Sequence, residues 1–200
     1  MCDTRTVSQE IRRTVAREAE RGVRYGILAV LLVGVRRRDL AAVANAAVSL
    51  LATYVPGLLE RHYDVEFRPW QRLYTLLAML THSVGMLGPY DDVWWWDHLT
   101  HTHSATIVGG AIHVAARRRD RSPQPRILGL VVGAGVVWEL MEYVVHTVAG
   151  WLDLEPLLVS YGREDTLFDL LFDLVGALLV VVFGDRLLGN LVAVDDLGDE

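Results

Sequence analysis

The feature that most constrains this chain is the separation of its charges from its apolar stretches. The 200 residues are 52% hydrophobic and 22% charged, with a mean hydropathy of +0.28. The charges gather in short runs such as "RRRD", "ERHYDVEFRP" and "RRRDRSPQPR". Between them lie six apolar stretches, at residues 22–35, 40–59, 70–87, 97–116, 127–148 and 166–188. A membrane span needs about 17–25 mostly apolar residues. The pattern therefore predicts an all-α, polytopic integral membrane bundle of six transmembrane helices. The count falls to five if the short first stretch, which carries Arg24, does not cross.

Three regions follow. Residues 1–21 are polar, and Val7, Ile11, Val15 and Ala19 recur every fourth position, as in an amphipathic helix lying on a membrane surface. Residues 22–188 form the transmembrane domain. Residues 189–200 are an acidic tail with Asp195, Asp196, Asp199 and Glu200. The single cysteine, Cys2, excludes an internal disulfide and a cysteine metal cage. No cleavable leader is evident behind the polar N-terminus.

All 19 basic residues are arginine. With the N-terminus inside, only Arg36, Arg37, Arg38 and Arg163 fall in outer loops, and the rest fall inside. The positive-inside bias thus favours a cell-membrane protein with both termini cytoplasmic. Trp94, Trp95, Trp96, Trp151 and Tyr161 then lie at the outer interface, where aromatic rings settle. The arginines serve as orientation loops rather than a basic groove, which excludes a nucleic-acid partner.

Ionisable groups within spans are costly and mark function or pairing. Asp97 and His101 are four apart and share a helix face, and His98 and His101 are three apart. Glu139, Glu142 and His146 form a stripe on the next helix. Asp165, Asp169 and Asp173 form another on the last, with Gly176 below, and His82 lies near the end of its own stretch. Alternating topology puts all these groups on one side, and exposure to lipid would be unfavourable. They are expected to converge on one polar site near the outer face.

Three readings of that site stand side by side. Carboxylates and imidazoles from several helices suit a divalent cation, which would also neutralise the acidic excess. Asp97, His101, Glu139 and Asp169 are the expected ligands of one such ion, with His82, His98, His146 and Asp173 as secondary candidates. Glu142 or Asp165 would act as general base in a hydrolase or transferase for a lipid or lipid-linked substrate. The second reading is a small proton- or cation-coupled transporter, since such side chains relay ions. The third is a non-enzymatic scaffold whose polar contacts hold helices together. The glycines of "VGG" and "GLVVGAG" read as close helix packing.

The motifs "DHLTH", "WELMEY" and "DTLFDLLFDLVGA", over roughly residues 76–183, resemble those of the YjdF-like family of small inner-membrane proteins, which has no assigned biochemical function. The matching positions are Asp97, His101, Trp138, Glu139, Glu142, Asp165, Thr166, Asp169 and Gly176. A more distant likeness is to VanZ-like membrane proteins, with Glu142 standing where that pattern favours Gln. The resemblance implies the membrane fold and the polar motifs, and no reaction.

Overall fold

The computed structural model describes the backbone of residues 4–192 and side chains from residue 14 onward. Val7 and Ile11, whose side chains bear on the surface-helix expectation, and the acidic residues Asp195–Glu200 lie outside the described side chains and residues. Every element among the described residues is helical. Seven helices have eight residues or more, and one is a single turn. The chain divides into two compact units, residues 1–84 and 85–200.

The first unit holds α1 (Thr4–Arg37), α2 (Leu40–Ala52), α3 (Val55–His62) and α4 (Pro69–Gly85). A tight turn joins α1 to α2. Arg38 takes a left-handed backbone (φ 59), and Asp39 caps α2 by accepting from the Ala42 N–H at 2.9 Å. The two helices then pack closely, with Gly34 against Ala42 and Val43. The 40–59 stretch is interrupted, because Pro56 has no N–H to donate to the carbonyl four residues back. α2 therefore stops at Ala52 and α3 restarts at Val55 with Pro56 buried in its first turn.

Arg24, the charge that weakened the first span, sits beside this break. Its guanidinium donates to Thr53 Oγ1 at 3.2 Å and Thr53 O at 3.3 Å. It also lies 4.7 Å from the Tyr54 ring centre and 3.5 Å from Glu20. Glu20 in turn accepts two hydrogen bonds from Arg72 of α4, at 2.9 and 3.2 Å, while Arg72 also reaches Glu60 of α3. The buried charges of this unit thus neutralise one another.

The second unit holds α5 (Pro89–Asp92), α6 (Trp96–Arg117), α7 (Gln124–Trp151) and α8 (Arg163–Val192). Since α7 returns between them, α6 and α8 run parallel. They stay in register along their length: His98 meets Asp169, His101 meets Asp173, Thr102 meets Phe172 O, and Arg117 meets Asp185. Small residues allow this closeness. A Cβ on Gly176 would lie 2.6 Å from Thr102 O, and one on Gly184 would lie 2.7 Å from the His113 ring. Ala105, Ile127, Val131, Ala177 and Val180 form the apolar core. On the opposite faces, Leu140, Tyr143, Leu167, Leu171 and Val182 are exposed, as a lipid-facing surface requires.

Three stretches are long and apolar enough to cross a membrane: Leu40–His62, Gln124–Trp151 and Arg163–Val192. The other expected spans are helical but fall short on length or hydropathy. The 22–35 stretch is the end of the long, mostly polar α1. α4 has only 17 residues. α6 has 22, yet it carries Asp97, His98, His101, His103 and His113. The polar site itself lowers the hydropathy of the helix that supports it. α8 continues to Val192, so the region assigned to the tail begins as helix.

Candidate metal centre

The parallel register of α6 and α8 makes His101 the centre of the polar cluster. Its Nδ1 lies 3.2 Å from Asp173 Oδ1. An ionised carboxylate only accepts, so Nδ1 carries the proton and donates it. This leaves Nε2 facing Asp97 Oδ1 at 3.8 Å, Asp169 Oδ1 at 3.9 Å and Glu139 Oε1 at 4.0 Å. Those three oxygens come from α6, α8 and α7. A lone pair directed at three carboxylate oxygens is repulsive unless a second proton or a cation lies between them.

The donor set fits a cation. Two ligands bonded to one ion at about 2.1 Å lie at most about 4.2 Å apart. All three separations from Nε2 are below that limit. Tetrahedral coordination would bring the ligand atoms to about 3.4 Å, a contraction of roughly 0.5 Å in the separations from Nε2. Glu139 stands outside the group whose ligand atoms all lie within 4.8 Å of one another and has further to move. Asp97, His101 and Asp169 form one group with ligand atoms within 4.8 Å of one another, and His98, Asp165 and Asp169 form a second. Asp169 Oδ2 and Glu139 Oε1 are buried without a hydrogen-bond partner among the described residues. Buried acceptors of this kind ordinarily have a partner.

The surrounding side chains hold these groups in place. His98 Nδ1 donates to Asp169 Oδ1 at 3.0 Å, and its ring stacks on Phe172 at 4.9 Å between centres. Trp94 packs edge-on against the same ring, 5.9 Å between centres. Thr100 Oγ1 donates to Asp97, reaching its backbone O at 2.8 Å and Oδ1 at 3.2 Å. Tyr90 OH in turn donates to Thr100 Oγ1 at 3.4 Å. Burial first, then the charges of Asp97, Glu142 and Asp169, push the Tyr90 phenol above its ordinary range, so it remains a donor. Gly135 of α7 leaves room for Asp173 Oδ2, which a Cβ there would strike.

The remaining sequence-predicted residues are placed as follows. Glu142 lies one turn beyond Glu139 and accepts from Trp138 Nε1 at 2.8 Å. Asp165 lies one turn before Asp169, in the second ligand group. His146 is exposed near the end of α7, where its Nδ1 accepts from the Ser160 N–H at 3.3 Å. His82 lies in the last turn of α4, in the first unit. Tyr90 was not singled out by its position in the sequence. A tyrosine in a short Pro-Tyr-Asp-Asp turn carries no periodic signal, and only the fold brings it to Thr100.

Beside Glu139 a groove of about 580 Å³ runs between α7 and the start of α8. Glu139 and Thr166 line one end, and His146 and Ser160 the other. Below the centre the apolar core around Val131, Ala177 and Val180 separates it from His113.

A Thermotoga maritima protein named "Uncharacterized protein" is 23% identical over 134 residues, 63% of this chain and 67% of its own length. No solved structure matches the chain. A family described as "Predicted membrane protein (DUF2238)" matches residues 20–190, a range that takes in every residue of the cluster. The chain is a member of that DUF2238 membrane-protein family.

Proposed function

We propose that the cluster is a divalent-metal centre within the membrane, and that the protein is a metal-dependent hydrolase or transferase acting on a lipid-like substrate. One observation carries the reading. His101 is held by Asp173 through Nδ1 while Nε2 faces carboxylates of three helices. A carboxylate behind a ligating histidine is the usual support of such sites. In this reading Asp97, His101, Glu139 and Asp169 hold the ion. The ion would activate water or polarise a phosphoryl or carbonyl oxygen. Asp165 or Glu142, each one helical turn from a ligand, would take the proton. The order of the motifs resembles that of the YjdF-like family and, more distantly, that of VanZ-like proteins, apart from Glu142 where the latter favour Gln; the likeness supports the polar motifs and supplies no reaction. On the arginine distribution, the centre faces the outside of the cell membrane and both termini lie within.

The apolar layer of Ala105, Ile127, Val131, Ala177 and Val180 weighs against a transport path. Across it the α6–α8 seam offers the hydroxyls of Thr102 and Thr106, each already bonded to a backbone carbonyl. A scaffold role leaves two buried carboxylate oxygens unexplained.

The test is elemental analysis of the protein purified in lipid nanodiscs after equilibration with Mn²⁺ or Zn²⁺. One ion per chain is expected, falling to background in His101→Ala and Asp169→Asn variants that keep the wild-type melting profile. A wild-type protein without stoichiometric metal would sink the reading.

A further inference from the structure

The groove between α7 and α8 differs at its two ends. At one end stands Glu139, which belongs to the cluster. At the other are Arg163 and His146. Seven residues separate Glu139 from His146, which corresponds to about 10 Å along the helix. The Arg163 side chain makes no ion pair or hydrogen bond among the described residues, although Glu164 and Asp165 follow it in the chain. His146 accepts the Ser160 N–H through Nδ1, so its neutral ring carries the proton on Nε2 as a second donor. The wall between the ends is apolar and open: Leu140, Tyr143 and Leu167 are 59%, 61% and 67% exposed.

We propose that this groove binds a phosphate-bearing, single-chain or double-chain amphiphile. Arg163 and the His146 Nε2–H hold the phosphate, Leu140, Tyr143 and Leu167 carry the chain, and the reacting end points to Glu139. Each feature narrows the ligand class. A guanidinium fork matches a phosphate and gives a neutral lipid nothing to recognise. An open apolar wall suits a chain that stays partly in the bilayer and is of no use to a free phosphate ion. The polar end lies near the C-terminal end of α7, a helix long and apolar enough to cross a membrane, where a lipid headgroup would meet it. Binding depends on the groove alone. Only the direction of the reacting end rests on reading the cluster as a reaction centre.

The probe is dodecyl phosphate, with inorganic phosphate and dodecanol as controls, titrated into full-length protein in dodecyl maltoside micelles, which carry no phosphate, and read by native mass spectrometry. Wild type is expected to bind dodecyl phosphate, and Arg163→Ala to bind it about tenfold more weakly, the scale of one charge-assisted contact. Inorganic phosphate should fail to compete at equal concentration. Equal binding by wild type and Arg163→Ala overturns the proposal. So does competition by inorganic phosphate as strong as by the amphiphile, which would mark a bare anion site. Asp169→Asn separates the two readings. It should lose metal and keep dodecyl phosphate. A wild type that binds the amphiphile through Arg163 but holds no metal defeats the metal reading and leaves the groove standing; metal without amphiphile does the reverse.

Discussion

Asp173 of α8 approaches His101 of α6 at 3.2 Å through Nδ1, on the side of the ring away from the three facing carboxylates. The contact fixes which nitrogen carries the proton and which way the ring is turned. If the cluster holds a metal, Asp173 acts as a positioning residue whose effect reaches the ion through His101. Replacing it with alanine is expected to weaken metal binding by about 10–100-fold, as outer carboxylates commonly do. Competition with a calibrated chelator measures this directly. Unchanged affinity in Asp173→Ala, with the fold intact, would remove Asp173 from the site.

The close seam of α6 and α8 makes a second prediction. A methyl group on Gly176 would meet backbone at Thr102 O, 2.6 Å away, which cannot move aside without shifting the helix. Gly129 of α7 has nothing within 4 Å. Gly176→Ala should destabilise the protein by about 1–3 kcal/mol, the usual penalty of overpacking. Gly129→Ala should be neutral or slightly stabilising, because alanine is the better helix former. Melting temperatures of the two variants in the same detergent compare them. Equal melting would mean that the seam is looser than these distances indicate.

The meeting of acidic and histidine groups from α6, α7 and α8 was legible because helical periodicity is a local property; His82 and His146, expected at the same site, lie in the first unit and at the exposed end of α7. Asp97 with His101, and Asp165 with Asp169 and Asp173, must share faces on any α-helix. The DUF2238 assignment and the all-helical fold agree with that reading at the level of a membrane protein. What the pattern left open is long-range. The pairing of Glu20 with Arg72 spans 52 residues, and nothing in either neighbourhood announces it. The division of labour inside the cluster was also hidden. Asp173, a secondary candidate by spacing, stands behind His101 because the register of two parallel helices places it there. His98 supports Asp169 for the same reason. The break at Thr53 did carry a local signal in Pro56, whose cost within a helix is known, but hydropathy alone passes over it.

Tyr90 supplies a pH test. Its phenol is held above the ordinary tyrosine range by burial and neighbouring carboxylates. The folded state thus keeps a proton that the unfolded chain gives up near pH 10. Stability from this group is present below that pH and declines as pH rises above it. The melting temperature of wild type should fall more steeply between pH 9.5 and 11, on the order of that tyrosine transition, than that of Tyr90→Phe. Parallel curves would show that the Tyr90 hydroxyl is free to ionise.

Glu20 makes the strongest prediction for the first unit. It is 6% exposed and accepts a two-point contact from Arg72, while Arg24 lies 3.5 Å away. Glu20→Ala would leave the Arg72 charge half-buried with Glu60 as its remaining partner. Removing one side of a buried pair costs about 3–5 kcal/mol, and the partial exposure of Arg72 sets the expectation at the lower end. Arg24 retains Thr53 and the Tyr54 ring, so it adds little to the loss. The penalty comes from the stranded charge more than from the lost attraction. Replacing both partners by methionine in Glu20→Met/Arg72→Met should therefore recover most of the stability that Glu20→Ala loses. A double variant as unstable as the single one would mean that the ion pair itself, rather than charge neutrality, holds α1 and α4 together.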